Sequence, residues 1–336
     1  MFIILFAINV DFMENNSKES ENFADIETVK IAIKKFQKLG WPEFKENDDI
    51  EKFIQTISTQ ITSELGKFPN FLMLLKPRDF PFGIFRVREV TESANFNLFT
   101  EHSYPPAAFT KLGRCNFPKH PVFYGSNNPV TALAEVVRES DYKGKRFCIS
   151  SWEINSRQTF VFENFLQSPL HPKNTFDLLA KALIEKVSEP FDDLLPIEQK
   201  EGITEFLKYI DSQFINDKGY SLSASFAHRR IYGNHNLCTD ILMYPSVQTL
   251  MQGVNFAINP NFVDNHMRVK RFYIVELQSY DEESGQFALT FHKYGDIKKN
   301  VIFWKNLDPK DKQYQKNVKL DFKSFIKDDF KFEFTK

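Results

Sequence analysis

The sequence predicts a mixed α/β (α+β) fold, and three observations carry that reading. Helical stripes with apolar residues three and four apart open the chain, and short β-like runs broken by Pro, Gly and Asn begin at Phe80. A second set of helical stripes then interrupts those runs before strand-like sequence returns. The organisation that follows is a disordered or mis-assigned start over 1–25, a helical accessory region over 26–75 and a core domain over 78–262. That core carries a helical insertion over 157–217, and a β-rich extension over 263–336 packs on it.

Each element has its own signal. The first ten residues, MFIILFAINV, are apolar but end at Asp11, whereas a membrane-spanning helix needs about 20 such residues. They lack the basic start and small-residue cleavage site of a secretory signal, and Met13 opens a polar segment suited to be a true start. Residues 1–12 therefore read as an over-extended start or a disordered tail, and the protein as cytoplasmic. Ile26, Val29, Ile33 and Phe36 predict one helix; Ile50, Ile54, Ile57, Ile61 and Leu65 predict a second, stopped by Gly66. FGIFRVREV, HPVFYGS and RFCISSWEI read as strands. Between the last two lies NNPVTALAEVVRES, a helix with Asn128 as N-cap, Pro129 at its first position and Leu133, Val136 and Val137 on its buried stripe. The insertion has two stripes: Phe176, Leu179, Ala180, Leu183, Ile184 and Val187, then Ile203, Phe206, Leu207, Ile210 and Phe214. TDILMYPSV is a strand, RFYIVEL and FALTFHKY form a hairpin closed near Glu283–Gly285, and the tail DFKSFIKDDFKFEF alternates as an edge strand would.

Composition narrows function more than it defines it. Forty-three basic and 44 acidic residues are interspersed, net charge −1, so no phosphate-tracking surface marks a nucleic-acid partner. The 3 cysteines are widely spaced, which argues against disulfides or a zinc site and for a reducing compartment. The 7 histidines show no metal-binding spacing, and no metal is expected. The 37 phenylalanines, and the Phe-Trp-Lys at 303–305, read as core.

Chemistry concentrates in GRCNFPKHPVFYGSNNPVTALAEVV, residues 113–137, and in YPSVQTLMQGVNFAINP, residues 244–260. The first stretch sets a planar cation (Arg114), an aromatic ring (Tyr124) and a carboxylate (Glu135) on loop, strand and helix; the second adds Ser246. Taken one at a time these are ordinary: an Arg at a turn, a Tyr in a strand, a solvated helix Glu, a Ser that forms a turn after Pro245. Their order carries a resemblance. Arg86 in FRVR, then GRCN, VFYGS, ALAEV and YPSV follow the pattern of the RES domain, which is named for its Arg, Glu and Ser and known as the toxin half of bacterial toxin–antitoxin pairs. The resemblance spans roughly residues 80–260.

What this resemblance implies is consumption of NAD⁺ on an ADP-ribosyltransferase-like core of two small twisted sheets flanked by helices. NAD⁺ is then a substrate, and the bond between nicotinamide and ribose is cleaved by hydrolysis or phosphorolysis. Transfer of ADP-ribose to an acceptor shares that step, and a non-catalytic interaction module on the same scaffold is the rival of another class. Arg114 or Arg86 is the candidate clamp for the diphosphate, and Tyr124 a candidate to stack on nicotinamide. Glu135 is the carboxylate beneath the oxocarbenium-like carbon. Ser246 would hold the ribose or carboxamide, and Asn255 would line the same pocket. An antitoxin or immunity protein and a homodimer are the partners the family implies; no membrane partner is expected. His120 is a substrate-contact candidate, His228 and His235 read as a surface cluster at a helix end, and Arg229 and Arg230 have no fixed place. Cys115 stands where the family often has an aromatic residue, the insertion is larger than in compact family toxins, and the two ends of the chain have no counterpart in the pattern.

Overall fold

Aspartates open both N-terminal helices in the computed structural model, which describes residues 3–7, 23–67, 70–80, 82–137, 142–166, 170–171, 174, 176–177, 181, 195–233, 238–281, 286–308 and 310–323. Asp25 accepts from the Thr28 amide at 2.9 Å and starts α1 (Ile26–Leu39); Asp49 accepts from the Lys52 amide at 2.9 Å and starts α2 (Ile50–Leu65). Each helix stops at a glycine with positive φ, 72° at Gly40 and 74° at Gly66, a backbone region most side chains avoid. Val29 and Phe36 are buried on α1, and Ile54, Ile57, Ile61 and Leu65 on α2, as the stripes require.

The chain divides into two compact units. The first comprises Met1–Lys76, Pro106–Val122 and Thr159–Pro245; the second comprises Pro77–Pro105, Phe123–Gln158 and Ser246–Lys336. In the first, α1 packs along α4 (Ile197–Asn216), whose stripe of Ile203, Phe206, Leu207, Ile210 and Phe214 is buried. Gly202 permits that approach, since a Cβ there would lie 2.5 Å from the Ala24 carbonyl oxygen. Of the other stripe in the insertion, Phe176 is buried and Leu179, Ala180, Leu183, Ile184 and Val187 lie outside the described residues. Helix α5 (Ser221–Tyr232) follows, with Asp217 accepting from the Leu222 and Ser223 amides at 3.0 and 3.2 Å. Strands β1 (Ile3–Ala7), β2 (Asn70–Leu75), β6 (Phe160–Asn164) and β7 (Ile241–Pro245) are hydrogen-bonded in that order. The β6–β7 pair is parallel and the other two are antiparallel. Ile3–Ala7 thus pairs with Asn70–Leu75 inside the segment expected to be a disordered or mis-assigned start.

The second unit carries β3 (Ile84–Glu89), β4 (Phe123–Ser126), β5 (Arg146–Ile154), β8 (Val254–Ile258), β9 (Met267–Asp281), β10 (Gln286–Lys298) and β11 (Val301–Asn306). Their order is β8-β4-β3-β5-β9-β10-β11, antiparallel throughout. This run of strands is larger than the small sheets expected, because β9, β10 and β11 continue it at one end. RFYIVEL and FALTFHKY do form a hairpin, β9–β10; its expected closure at Glu283–Gly285 lies outside the described residues. Helix α3 (Pro129–Val137) and helix α7 (Lys312–Asp321) cover one face of these strands, and α6 (Pro260–His266) links β8 to β9. Ala132, Leu133 and Val137 of α3 meet Tyr314 and Val318 of α7 in a cluster with Phe85, Ile149, Tyr273 and Val275. The tail expected to be an edge strand begins instead as the last turn of α7 at Asp321, and residues 324–336 lie outside the described residues.

Among the described residues no helix is long and apolar enough to cross a membrane, and no group of three or more His, Cys, Asp or Glu is placed to hold a metal ion. Phe303, expected in the core, is 51% exposed, because alternation along β11 sends Ile302 inward and its neighbour out.

Candidate active site

Asn128 caps α3 through its Oδ1, which accepts from the Thr131 amide at 2.7 Å, and Pro129 occupies the first turn, where no amide hydrogen is required. The helix then buries Leu133, Ala134 and Val137, leaves Val136 exposed and holds Glu135 half-buried between the two environments. Val136 was expected on the buried stripe; the true stripe is Val130, Leu133, Ala134 and Val137, spaced by three and four.

Ser246 follows directly on Pro245 and is fully buried. Its amide donates to the Gly253 carbonyl at 3.0 Å and its carbonyl accepts from the Met251 amide at 2.8 Å, so 246–253 is a closed loop. Leu250 and Met251 turn it with φ of 47° and 61°. The loop sits tightly on α3: a Cβ at Gly253 would fall 2.1 Å from Thr131 Oγ1.

Three side chains meet at one carboxylate oxygen and behind it. Ser246 Oγ donates to Glu135 Oε1 at 2.7 Å, Asn255 Nδ2 donates to the same oxygen at 2.7 Å, and Ser126 Oγ donates to Asn255 Oδ1 at 2.7 Å. Ser126 and Asn255 are partners across the β4–β8 ladder, so both project from the same face. Because a carboxylate only accepts, the nitrogen of the Asn255 amide is the atom that faces Glu135.

Tyr124, half-buried on β4 two residues before Ser126, shares the face of Ser126. Its carbonyl accepts from Arg86 Nη1 at 2.8 Å. Strands β3 and β4 share only the Phe85–Ser126 pair, and this side-chain bond lies where the ladder would otherwise continue. By alternation Arg86 projects from the face opposite Ser126 and Asn255, with its guanidinium 5.3 Å from the centre of the Phe123 ring. Burial, with the nearby Arg88 charge, lowers the Arg86 pKa to about 10, against a small opposing effect of Tyr124. Its Nε is buried without a hydrogen-bond partner, and among the described residues no carboxylate is paired with it.

Arg114 belongs to the first unit. It occupies a tight turn in which the backbones of Gly113 and Asn116 bond each other, and its guanidinium donates to the Phe214 carbonyl and lies 5.3 Å from the Tyr220 ring centre. Cys115 beside it is fully buried. Direct contacts therefore join Glu135 with Ser246 and Asn255, and Arg86 with Tyr124, while Arg114 has its contacts elsewhere. Sequence reading missed Ser126. Its signal was available in VFYGS, where alternation puts Ser126 on the side of Tyr124.

His228 is buried, not part of a surface cluster, because its face of α5 is turned inward with Ser221, Leu222, Ser225 and Ala227. Its ring packs 4.8 Å from His120 and 5.1 Å from Tyr232, and burial with the His120 charge lowers its pKa to about 4. His120 is half-buried there with Nδ1 3.0 Å from the Pro118 carbonyl, Arg230 pairs with the buried Glu163 at 3.3 Å, and His235 lies outside the described residues.

The family model of the RES domain matches residues 84–280, more than half of the chain. The chain belongs to the RES domain family. The match begins at β3 and runs through β9, taking in Arg86, Arg114, Tyr124, Glu135, Ser246 and Asn255. At this level the protein is an NAD-utilising, toxin-like domain on an ADP-ribosyltransferase-like fold. No curated protein matches the chain.

Proposed function

We propose that this RES domain cleaves NAD⁺ between nicotinamide and ribose, by hydrolysis or phosphorolysis. The observation that carries the reading is the Glu135 carboxylate, whose Oε1 accepts from two neutral donors, Ser246 and Asn255, at 2.7 Å each. A carboxylate held this way is fixed before the reaction starts.

Bond cleavage sends the electron pair of the C1′–N1 bond to the nicotinamide nitrogen and neutralises the pyridinium. Positive charge then develops on C1′ and the ring oxygen of the ribose. Glu135 beneath that carbon stabilises the transition state more than the ground state, where the charge sits on the pyridinium. Water or phosphate forms the new bond to C1′. Tyr124 offers a ring face to nicotinamide. Arg86 is a candidate clamp for the diphosphate on the family motif; its side chain leaves β3 on the face opposite Ser126 and Asn255 and packs against Phe123. Arg114 remains a second candidate clamp on the family motif alone. Ser246 and Asn255 serve here as partners of Glu135.

The test is nicotinamide release from NAD⁺ by the full chain. Glu135→Gln keeps the hydrogen-bonding shape and removes the charge, and should lower kcat by at least about 100-fold, within the range of a lost transition-state contact. Arg86→Ala and Arg114→Ala should act on KM. A wild-type protein that leaves NAD⁺ intact, with no protein labelled from NAD⁺ in a lysate, refutes an enzymatic function. A labelled band with neither free ADP-ribose nor its 1″-phosphate would assign transfer in place of hydrolysis or phosphorolysis. An inhibitory protein partner and a cytoplasmic site of action belong to the same proposal, and a small helix-turn-helix gene beside this one would support the former.

A further inference from the structure

We infer that Ser126 and Asn255 form a two-residue positioning relay for Glu135, and that Ser126 acts on the reaction only through the orientation of the Asn255 amide. The inference rests on the reading that Glu135 is the reacting carboxylate. Ser126 and Asn255 are 2% and 5% exposed, so no bulk water competes for their polar atoms.

An asparagine amide has two orientations that fill nearly the same volume but exchange an acceptor for a donor. In one, Nδ2 faces Glu135 Oε1; in the other, Oδ1 would sit 2.7 Å from that oxygen, two acceptors face to face. The Ser126 hydroxyl removes the ambiguity, since it donates to Oδ1 at 2.7 Å and so leaves Nδ2 for the carboxylate. The β4–β8 register sets this arrangement, because Ser126 and Asn255 are direct cross-strand partners. Ser246 reaches the same oxygen from the 246–253 loop, so Glu135 is held from a strand and from a loop at once. Two such bonds restrain the rotamer of a long side chain that would otherwise sample several. Catalytic groups need that restraint, because small misplacements cost large factors in rate.

The experiment is a double-mutant cycle in the full chain, read as kcat and KM for nicotinamide release. Ser126→Ala should lower kcat by about 10- to 100-fold with KM within about twofold, the pattern of a lost positioning contact and not of lost binding. Ser126→Thr keeps the hydroxyl and should recover most of the loss. Asn255→Leu should lower kcat at least as far, and Ser126→Ala added to it should do nothing more, since the relay is already cut. Wild-type kcat in Ser126→Ala, a loss confined to KM, or losses that multiply in the double variant would each overturn the relay. A separate readout needs no turnover: in protein labelled with ¹⁵N-asparagine, the Asn255 side-chain amide protons should exchange slowly with solvent, and quickly in Ser126→Ala. Fast exchange in the wild type sinks the relay. Slow exchange lost in Ser126→Ala, in a protein that leaves NAD⁺ intact, sustains the relay and refutes the proposed reaction.

Discussion

Removing the Asp321 carboxylate should destabilise the second unit more than most single substitutions. Asp321 ends α7 and receives Arg271 in a two-point bond, Nε to Oδ2 at 2.5 Å and Nη2 to Oδ1 at 2.6 Å, while the Tyr273 hydroxyl donates to Oδ2 at 2.7 Å. The side chains of Arg271 and Asp321 are 8% and 5% exposed. Burial alone would pull the Arg271 pKa down, but its bonds and charge pairing with Asp321 carry it above the usual value. Breaking such a pair from one side costs about 3–5 kcal/mol, since the remaining charge stays buried. The orphaned Tyr273 hydroxyl adds about 1–3 kcal/mol. Detachment of α7 limits the total, since hydrating Arg271 then exposes Tyr314 and Val318, each worth about 1.5–3 kcal/mol of burial. A loss of about 4 kcal/mol is expected for Asp321→Ala in urea unfolding, and less for Asp321→Asn, which keeps an acceptor. The double variant Arg271→Met/Asp321→Leu should recover the charge-burial part of that loss and lie about 1–3 kcal/mol below wild type, because it removes both charges but still orphans the Tyr273 hydroxyl. If Asp321→Ala unfolds at the wild-type midpoint, or the double variant is as unstable as the single, the clasp does not carry this energy.

Two further stability predictions follow from buried groups. His102 and His228 are 1% and 5% exposed, and burial lowers both pKa values from 6.5 to about 4, helped by Arg88 and Arg86 at His102 and by His120 at His228. The unfolded chain takes these protons near pH 6.5 and the folded chain does not, so stability is complete above that pH, falls between pH 6.5 and 4, and levels below. Each histidine then removes about 2 kcal/mol at pH 5 and about 3 kcal/mol in full. Urea midpoints at pH 7.5 and 5 measure this, His102→Gln should flatten the profile, and equal midpoints for wild type would count against neutral buried rings. Gly253→Ala should cost about 1–3 kcal/mol, because its Cβ would fall 2.1 Å from Thr131 Oγ1, and it should slow nicotinamide release by displacing the loop that carries Ser246. Thr131→Ala in the same chain should restore part of both, and a Gly253→Ala protein with unchanged melting temperature would argue against the tight loop.

Features encoded locally were legible in the sequence. The caps at Asn128 and the stop at Gly66 are read from a residue and its near neighbours, and the stripes of α1, α2 and α4 from spacing alone. Glu135 stood out only through the order of the family's motifs, since its half-buried place on α3 resembles that of any solvated helix glutamate. Ser126 was illegible as a partner of Asn255, because the link depends on the pairing of β4 with a strand far along the chain. His228 was misread because α5 buries Ser221, Ser223 and Ser225 among Leu222, Ala224, Ala227 and Ile231, and such small and polar residues do not mark a buried face in the sequence. Helix α7 escaped notice for a related reason: Lys312, Lys316 and Lys319 surround the few side chains it buries, Tyr314 and Val318 among them.

The part of α7 that the sequence concealed bears on the carboxylate the sequence made plain. Glu135 projects from a helix whose Ala132, Leu133 and Val137 are fixed in the same cluster as Tyr314 and Val318. The Arg271–Asp321 pair ties the end of α7 to β9, which lies beside β5 and also supplies Tyr273 and Val275 to that cluster. Close-packed interiors transmit displacement, so a loosened α7 shifts the support of α3 before the unit unfolds. The hydrogen bonds from Ser246 and Asn255 then act against that shift from the other side, at the carboxylate itself. A carboxylate held at its tip by two donors and at its base by a packed helix resists displacement at both ends. The C-terminal part of the chain, by supplying β9–β11 and α7, contributes the second of these restraints and supports the helix that carries Glu135.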